Sequence, residues 1–312
     1  MLVTVGICTW NRAPLLRETL AALTRSTPPP RLEWEVLVVD NGCTDGTESV
    51  VAEFRERLPI RSVVEPAPGL SNARNRCIDE SRGDYLLWTD DDVLVEADWL
   101  REYARAFQEF SAAAVFGGPV LPRFEGDRPE WLAAAWADVH TAYGARDLGD
   151  AVAPLSRRLP FGSNYAVRRA EQLAHRYDPR LGRNRHALLG GEETAVLRAI
   201  LRGGAQGFWL PRAVVEHWIP RDRQTPDYLR RYYRGQGRVL ALTGPAPRAE
   251  SKPALFDRPL WLWQRALEEE AIYRYSRVFC GPERWVGDLA RASTTWGLLA
   301  GWPARPRDPE RC

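Results

Sequence analysis

Three aspartates in a row, Asp90, Asp91 and Asp92, follow the apolar run Leu86-Leu87-Trp88 and Thr89. Adjacent carboxylates repel one another, and burial at a strand end raises the cost of keeping them charged. A divalent cation such as Mn2+ or Mg2+ relieves that cost, because hard cations take carboxylate oxygens together with substrate phosphates. Asp40 follows another apolar run in VLVVDNGCTDGT (36–47). Asn41-Gly42 and Asp45-Gly46 read as turns, and Asp40 remains as an acceptor for a base N–H or a ribose hydroxyl. In GGEET (190–194), Glu192 and Glu193 open a helix. They suit its dipole there, and two neighbouring carboxylates can also split roles, one held in place and the other a general base. His217 is one of four histidines, and as a neutral imidazole it could complete an oxygen-rich metal site.

Such residues act together only if the chain gathers them at one edge. The first 120 residues alternate short apolar runs with amphipathic segments. Strands are expected at 2–7, 34–40, 61–65 and 85–90, with helices at 14–23, 47–58, 70–81 and about 98–110. Pro14 suits a first helical turn, and Thr47 and Ser71 suit helix starts. This alternation implies right-handed crossovers and a mostly parallel sheet covered on both faces. Ligands of such sheets bind outside the carboxyl ends of the strands. Thr9-Trp10-Asn11-Arg12, Asp40-Asn41, Glu65 and the three aspartates all fall at those ends. Further on, strands are expected at 112–121 and 208–218, helices at 129–140 and 190–204, and a strand turning into a helix at 158–169. The last 90 residues read as helical and hold five of the 13 tryptophans.

Composition is that of a globular protein, with 45% apolar and 27% charged residues in 312, enough for one large domain or two small ones. A net charge of +2 gives no field for nucleic acid, although it divides into −4 for 1–220 and +6 for 221–312. Five cysteines are widely spaced with no CxxC pair, as expected for reduced thiols of a cytoplasmic protein. The stretch after Met1 is too short and lacks the basic start of a signal peptide, and no apolar run reaches the length of a membrane span. Neither GxGxxG after the first strand nor GxxxxGK[ST] is present, which disfavours a dinucleotide oxidoreductase and a P-loop NTPase. No G-x-S-x-G elbow appears either.

Taken in order, TVGICTWNRAPLLRETLAAL, VLVVDNGCTDGT, EPAPGLSNARNRCI, YLLWTDDDV, FGSNYAVRR, GGEETAVL and VVEHWIPRDRQTPDYLRRYYRGQGR resemble the successive motifs of family 2 glycosyltransferases over roughly residues 2–240. The resemblance implies a GT-A fold: an α/β, Rossmann-like, mixed but mostly parallel sheet flanked by helices, with a helical C-terminal extension. Its catalytic domain would span 1–220, with 1–120 binding the nucleotide-sugar and 121–220 the acceptor. Residues 221–312 would pack against it. The donor would be a UDP-, GDP- or dTDP-linked sugar, and the acceptor a saccharide, a lipid-linked group or a small molecule. Asp40 would contact the base, within a pocket of Thr9, Trp10, Arg12 and Glu65. Arg74 would lie near the diphosphate, and Arg221 and Arg223 would touch phosphate. Asp90 and Asp92 would form the DxD pair around Asp91, with Asp92 the direct ligand of Mn2+ or Mg2+, Asp90 nearer the ribose, and His217 a further ligand. Gly162 and Asn164 would lie on the acceptor side. Glu193 matches the usual catalytic Asp and Glu192 the Glu before it; the longer second side chain changes reach, and leaves the base to be chosen between them.

Two other readings stand beside this one: a metal-dependent nucleotidyltransferase and a non-catalytic binder of sugar nucleotides. The first needs no glutamates on the acceptor side; the second needs none for catalysis. In 255–303, arginine and tryptophan interleave, as expected of helices packing on the catalytic domain or of a peripheral contact with the inner face of the membrane. Glu268, Glu269 and Glu270 interrupt the basic face.

Overall fold

Period-two alternation with apolar residues on both faces decides the architecture of the first hundred residues. Val3, Val5 and Ile7 of β1 (Leu2–Thr9) enter one core together with Val36 and Val38 of β2 (Glu33–Asp40). Leu37 and Val39 enter the other, with Leu86 and Trp88 of β4 (Tyr85–Asp90). Strands buried on both faces need helices on both faces. α1 (Ala13–Leu23), α2 (Thr47–Glu53) and α4 (Trp99–Glu109) cover the first core, and α3 (Leu70–Glu80) the second. Close packing of α3 uses Gly6 of β1, where an added Cβ would meet Cys77 Sγ at 2.8 Å.

The structure, a computed structural model, describes residues 1–183, 189–244 and 254–302. It divides into two units. The first comprises Met1–Glu125, Tyr143–Arg185 and Gly191–Ile219. Its eight-stranded sheet has the order β3-β2-β1-β4-β9-β6-β10-β8, with β3 (Ile60–Val64), β6 (Val115–Gly117), β8 (Ala153–Pro154), β9 (Tyr165–Arg168) and β10 (Gly207–Trp209). β3, β2, β1 and β4 run parallel; β9 runs antiparallel to both β4 and β6. A second sheet has the order β5-β11-β7, from β5 (Val93–Val95), β7 (Val120–Phe124) and β11 (Val215–Ile219). α7 (Arg169–Ala174) follows β9, and α8 (Glu192–Arg202) adds Val196, Leu197 and Ile200 to the second core.

Several expected elements resolve differently. The apolar run 112–121 is two strands in two sheets, β6 and β7, because Gly118-Pro119 turns the chain between them. Only glycine fits at 118, where a Cβ would stand 2.1 Å from the carbonyl oxygen of Ala213. Likewise 208–218 is β10 and β11, parted at Leu210–Ala213, where Pro211 cannot donate to a ladder. The helix expected at 129–140 breaks at Ala135 (φ −93°, ψ 7°) into α5 (Glu130–Ala134) and α6 (Trp136–Val139). Thr47 and Ser71 are not side-chain caps. Thr47 Oγ1 donates to Asp45 (2.6 Å), and Ser71 Oγ donates to the carbonyl of Leu181 (2.7 Å).

The second unit comprises Gly126–Ala142, His186–Gly190 and Pro220–Cys312. α9 (Pro226–Thr243) is capped by Thr225, whose Oγ1 accepts from the Tyr228 N–H. α10 (Leu260–Phe279) and α11 (Pro282–Gly301) follow. α9 and α11 cross with their backbones nearly touching, since a Cβ at Gly237 would lie 2.0 Å from the Thr294 carbonyl. Residues 245–253 and 303–312, expected to belong to the helical region, lie outside the described residues. Among the described residues no helix is long and apolar enough to cross a membrane.

Candidate active site

The order β2-β1-β4 opens a crevice at the carboxyl ends of β1 and β4, where consecutive connections leave in opposite directions. Register sets Thr9 beside Asp40 and Cys8 beside Asp90. Asp91 and Asp92 are buried in the turn from β4 to β5. Thr9 Oγ1 donates to Asp91 (2.8 Å), and Arg12 Nη1 donates to both Asp91 (2.9 Å) and Asp92 (3.0 Å). One guanidinium thus balances two adjacent carboxylates. Burial pushes the Asp91 carboxyl up to about 6 against the pull of Arg12, and the Asp92 charge adds to the rise. Burial also works against the Arg12 cation, but Asp91 and Asp92 more than offset it and hold its pKa above the ordinary value.

Asp92 presents its other oxygen to His217 Nε2 at 3.4 Å. His217 Nδ1 lies 2.7 Å from the carbonyl of Tyr143. A carbonyl only accepts, so Nδ1 carries the hydrogen, and in the neutral ring Nε2 faces a carboxylate with a lone pair. A histidine whose far nitrogen is fixed by a carbonyl is oriented as metal-binding histidines are, here with Nε2 turned to the Asp92 carboxylate. Gly144 (φ +71°) lets the chain pass this ring, since a Cβ there would sit 3.2 Å from Nδ1. Among the described residues, no three His, Cys, Asp or Glu side chains already converge as a metal-ligand set. Two carboxylates and an imidazole at this edge are nonetheless the donor chemistry that Mn2+ or Mg2+ accepts.

Arg74, buried on α3, joins these aspartates to α8. Its Nη2 stands 3.7 Å from Asp90 Oδ1, and its Nη1 donates to Glu192 Oε1 (2.8 Å). Nη2 also donates to the carbonyl of Gly162 (3.3 Å), and the guanidinium centre lies 5.9 Å from the Trp88 ring and 5.5 Å from that of Tyr177. Glu192 begins α8 after Gly191, which takes the left-handed φ of 89° that glycine permits. Burial, then the charge of Glu193, push the Glu192 carboxyl up to about 7 against the pull of Arg74. Among the described residues its Oε2 is buried with no hydrogen-bond partner. Glu193 is half-buried.

Asp40 is half-buried, and its Oδ1 accepts the Cys43 N–H (2.6 Å), so turn chemistry occupies one of its oxygens. Asn41 holds the segment after β3: Nδ2 donates to the carbonyls of Glu65 (2.9 Å) and Ala67 (2.7 Å), and Oδ1 accepts from Gly69 (2.8 Å). The Glu65 carboxylate caps its own turn through the Ala67 N–H (2.7 Å). Trp10 is exposed beside Asn11, a non-glycine residue at positive φ (51°). Asn164 is fully enclosed. Its Oδ1 accepts from Trp99 Nε1 and Tyr103 Oη (2.9 Å each), and its Nδ2 donates to the carbonyls of Pro119 (2.8 Å) and Ala213 (2.7 Å). All its polar capacity is spent on the scaffold, so what approaches Arg74 from this loop is the Gly162 carbonyl. Arg221 and Arg223 belong to the second unit, in a 3-10 turn after Pro220. Sequence reasoning placed Asn41 at the ligand-binding edge without giving it a role, and it passed over Tyr143. Asn41 reads as a turn residue, and Tyr143 acts through its backbone, which leaves no trace in the sequence.

Comparison with known proteins adds a family. The model described as Glycosyl transferase family 2 matches residues 4–173. The succinoglycan biosynthesis protein ExoM of Rhizobium meliloti (strain 1021) is 32% identical over 247 residues, 77% of this chain and 75% of that protein. Among solved structures, the mannosyltransferase PcManGT from Pyrobaculum calidifontis, in complex with GDP-Man and Mn2+, superposes with a TM-score of 0.57 at 19% identity over 94% of this chain and 86% of that one. S. aureus TarS superposes with a TM-score of 0.53 at 16% identity over 96% and 90%, and TarS has also been solved in complex with UDP. At these identities the two structures speak for the GT-A type of fold.

Proposed function

We propose that this chain, which belongs to glycosyl transferase family 2, moves a sugar from a nucleoside-diphosphate sugar to an acceptor hydroxyl with inversion at the anomeric carbon. The observation that carries this reading is the Arg74 guanidinium between Asp90 and Glu192. It sets the carboxylates suited to a diphosphate and the glutamates suited to a base within the span of one side chain. Nucleotide complexes of fold neighbours, GDP-Man for PcManGT and UDP for TarS, support a donor of that class.

In this reading Asp40 offers its second oxygen to the base or ribose, and Asp92, His217 and Asp90 hold Mn2+ or Mg2+. The cation, when bound, supplies Lewis-acid neutralisation of the diphosphate. Arg74 adds a fixed positive charge at the same edge and orients Glu192. Glu193, half-buried and next in the chain, takes the proton of the acceptor hydroxyl. That oxygen bonds to the anomeric carbon as the bond to the phosphate oxygen breaks, and the nucleoside diphosphate leaves with the electron pair. The test is incubation with a panel of UDP-, GDP- and dTDP-sugars with Mn2+ or Mg2+, alone and with saccharide acceptors. Release of free nucleoside diphosphate is expected. Pyrophosphate as product would favour nucleotidyl transfer instead, and binding without turnover a non-catalytic binder.

A further inference from the structure

α10 is inverted for a surface helix. One side rests on α11, where Leu262 and Ala266 are enclosed with Leu299, and Trp263, Trp296 and Trp302 pack around them. At about 100° per residue, the opposite side carries Trp261, Leu267, Ile272, Tyr275, Val278 and Phe279. These residues share an arc of roughly 140°, in which Gln264 and Glu268 are the polar members. All the apolar ones named are at least 43% exposed, and Val278 and Phe279 reach 72% and 70%. Tyr275 and Phe279 bring their rings within 4.8 Å of each other on this outer side. A soluble helix normally turns its polar face outward, and a continuous exposed apolar stripe marks a surface that meets something.

The rim of the stripe says what it meets. Arg265 and Arg274 stand on its two borders, paired with Glu269 (2.9 Å) and Glu270 (3.2 Å) one turn on or back. The glutamate side chains are only 15% exposed, whereas the arginines are 57% and 76% exposed. On both borders the member of each ion pair that solvent meets is the arginine. We infer that the outer face of α10 docks on a lipid bilayer with anionic headgroups, its apolar side chains at the acyl boundary and Arg265 and Arg274 on lipid phosphates. An apolar stripe edged by arginines is the form of a helix lying in a membrane interface. Glu268, on the stripe itself, keeps the helix at headgroup level. A second copy of the chain is a poorer occupant. A 20-residue helix is about 30 Å long and 10 Å wide, a footprint on the order of 300 Å2, against roughly 800 Å2 per partner in a standard interface.

The test is flotation of the full chain with vesicles of phosphatidylcholine alone or mixed in equal parts with phosphatidylglycerol, at low and physiological salt. Wild-type protein is expected to float with the mixed vesicles. The exposed triple change Tyr275→Ser, Val278→Ser, Phe279→Ser lowers that partition at least about tenfold with its thermal melt unchanged. Arg265→Gln with Arg274→Gln abolishes the preference for phosphatidylglycerol, and Glu268→Gln strengthens binding. The inference is overturned if wild-type protein ignores the mixed vesicles, or if the triple variant floats as well as wild type. A concentration-dependent dimer that the triple variant dissociates would also overturn it, in favour of a second copy. The readout is binding, so its failure leaves the transferase reading untouched.

Discussion

Replacing Glu192 by glutamine removes a charge that burial makes expensive while keeping the shape and an oxygen for Arg74. In the folded chain this carboxyl is pushed up to about 7 from the ordinary 4.5. The folded state therefore holds its proton to a higher pH than the unfolded chain does. Between about 4.5 and 7 the folded state binds more protons, so stability falls as pH rises through that window. The contribution is fully present below 4.5 and gone above 7, and its full size is about 3 kcal/mol at 1.36 kcal/mol per pH unit of difference. Urea unfolding of wild type and Glu192→Gln at pH 5 and pH 8 isolates it. Groups common to both proteins, such as the buried Asp91, cancel in the difference of differences. The loss of stability from pH 5 to pH 8 should be smaller in the variant by about 2.5 kcal/mol. Parallel profiles, agreeing within about 0.5 kcal/mol, would refute the assignment of a neutral-range carboxyl to Glu192.

Asp92→Asn should abolish metal-dependent turnover with an unchanged circular dichroism spectrum; wild-type turnover that still responds to Mn2+ would remove Asp92 from the cation site. Glu193→Gln should lower transfer by roughly 10²–10⁴, the range for a lost general base, with nucleotide binding little changed and Glu192→Gln costing less. If the order of the two glutamates reverses, the base is Glu192. Asn164→Ala strips partners from Trp99, Tyr103, Pro119 and Ala213. At about 1–3 kcal/mol for each buried group left unpaired, partly recovered by water, the unfolding free energy should drop by about 3–5 kcal/mol. A drop below about 1 kcal/mol would mean the site is not the tight hub described.

The first half of the chain was legible because β1, β2 and β4 are buried runs that each end in a residue whose chemistry breaks the pattern, whereas β3 is half-exposed and ends at Val64. Asp40 and Asp90 close β2 and β4 where expected. The second half was less so. An apolar run records burial but not its partner, and 112–121 serves two sheets. The three-residue β5 directly after Asp92 is too short to show a period. Among the site residues, Arg12 and Thr9 were read as lining a nucleotide pocket, while the structure shows what they hold now, the carboxylates of Asp91 and Asp92. Asn164 illustrates the opposite limit. A buried amide that ties three backbone segments and a polar residue in a pocket look alike in sequence, since only the third dimension tells which of them has solvent in front of it.

The placement of β11 has a consequence for how the molecule comes into being. This strand lies between β5 and β7, yet it is the last of the three to leave the ribosome. From Asp92 to His217 is 125 residues, about 6–25 s of synthesis at the usual pace. Once β7 has followed β5 out, and until β11 arrives, the two have no common neighbour, and each offers the edge that β11 will take to any stray strand. Asp92 meanwhile waits without its imidazole. Filling that slot and completing the carboxylate–histidine pair are one event, since the same strand brings in both Val215 and His217.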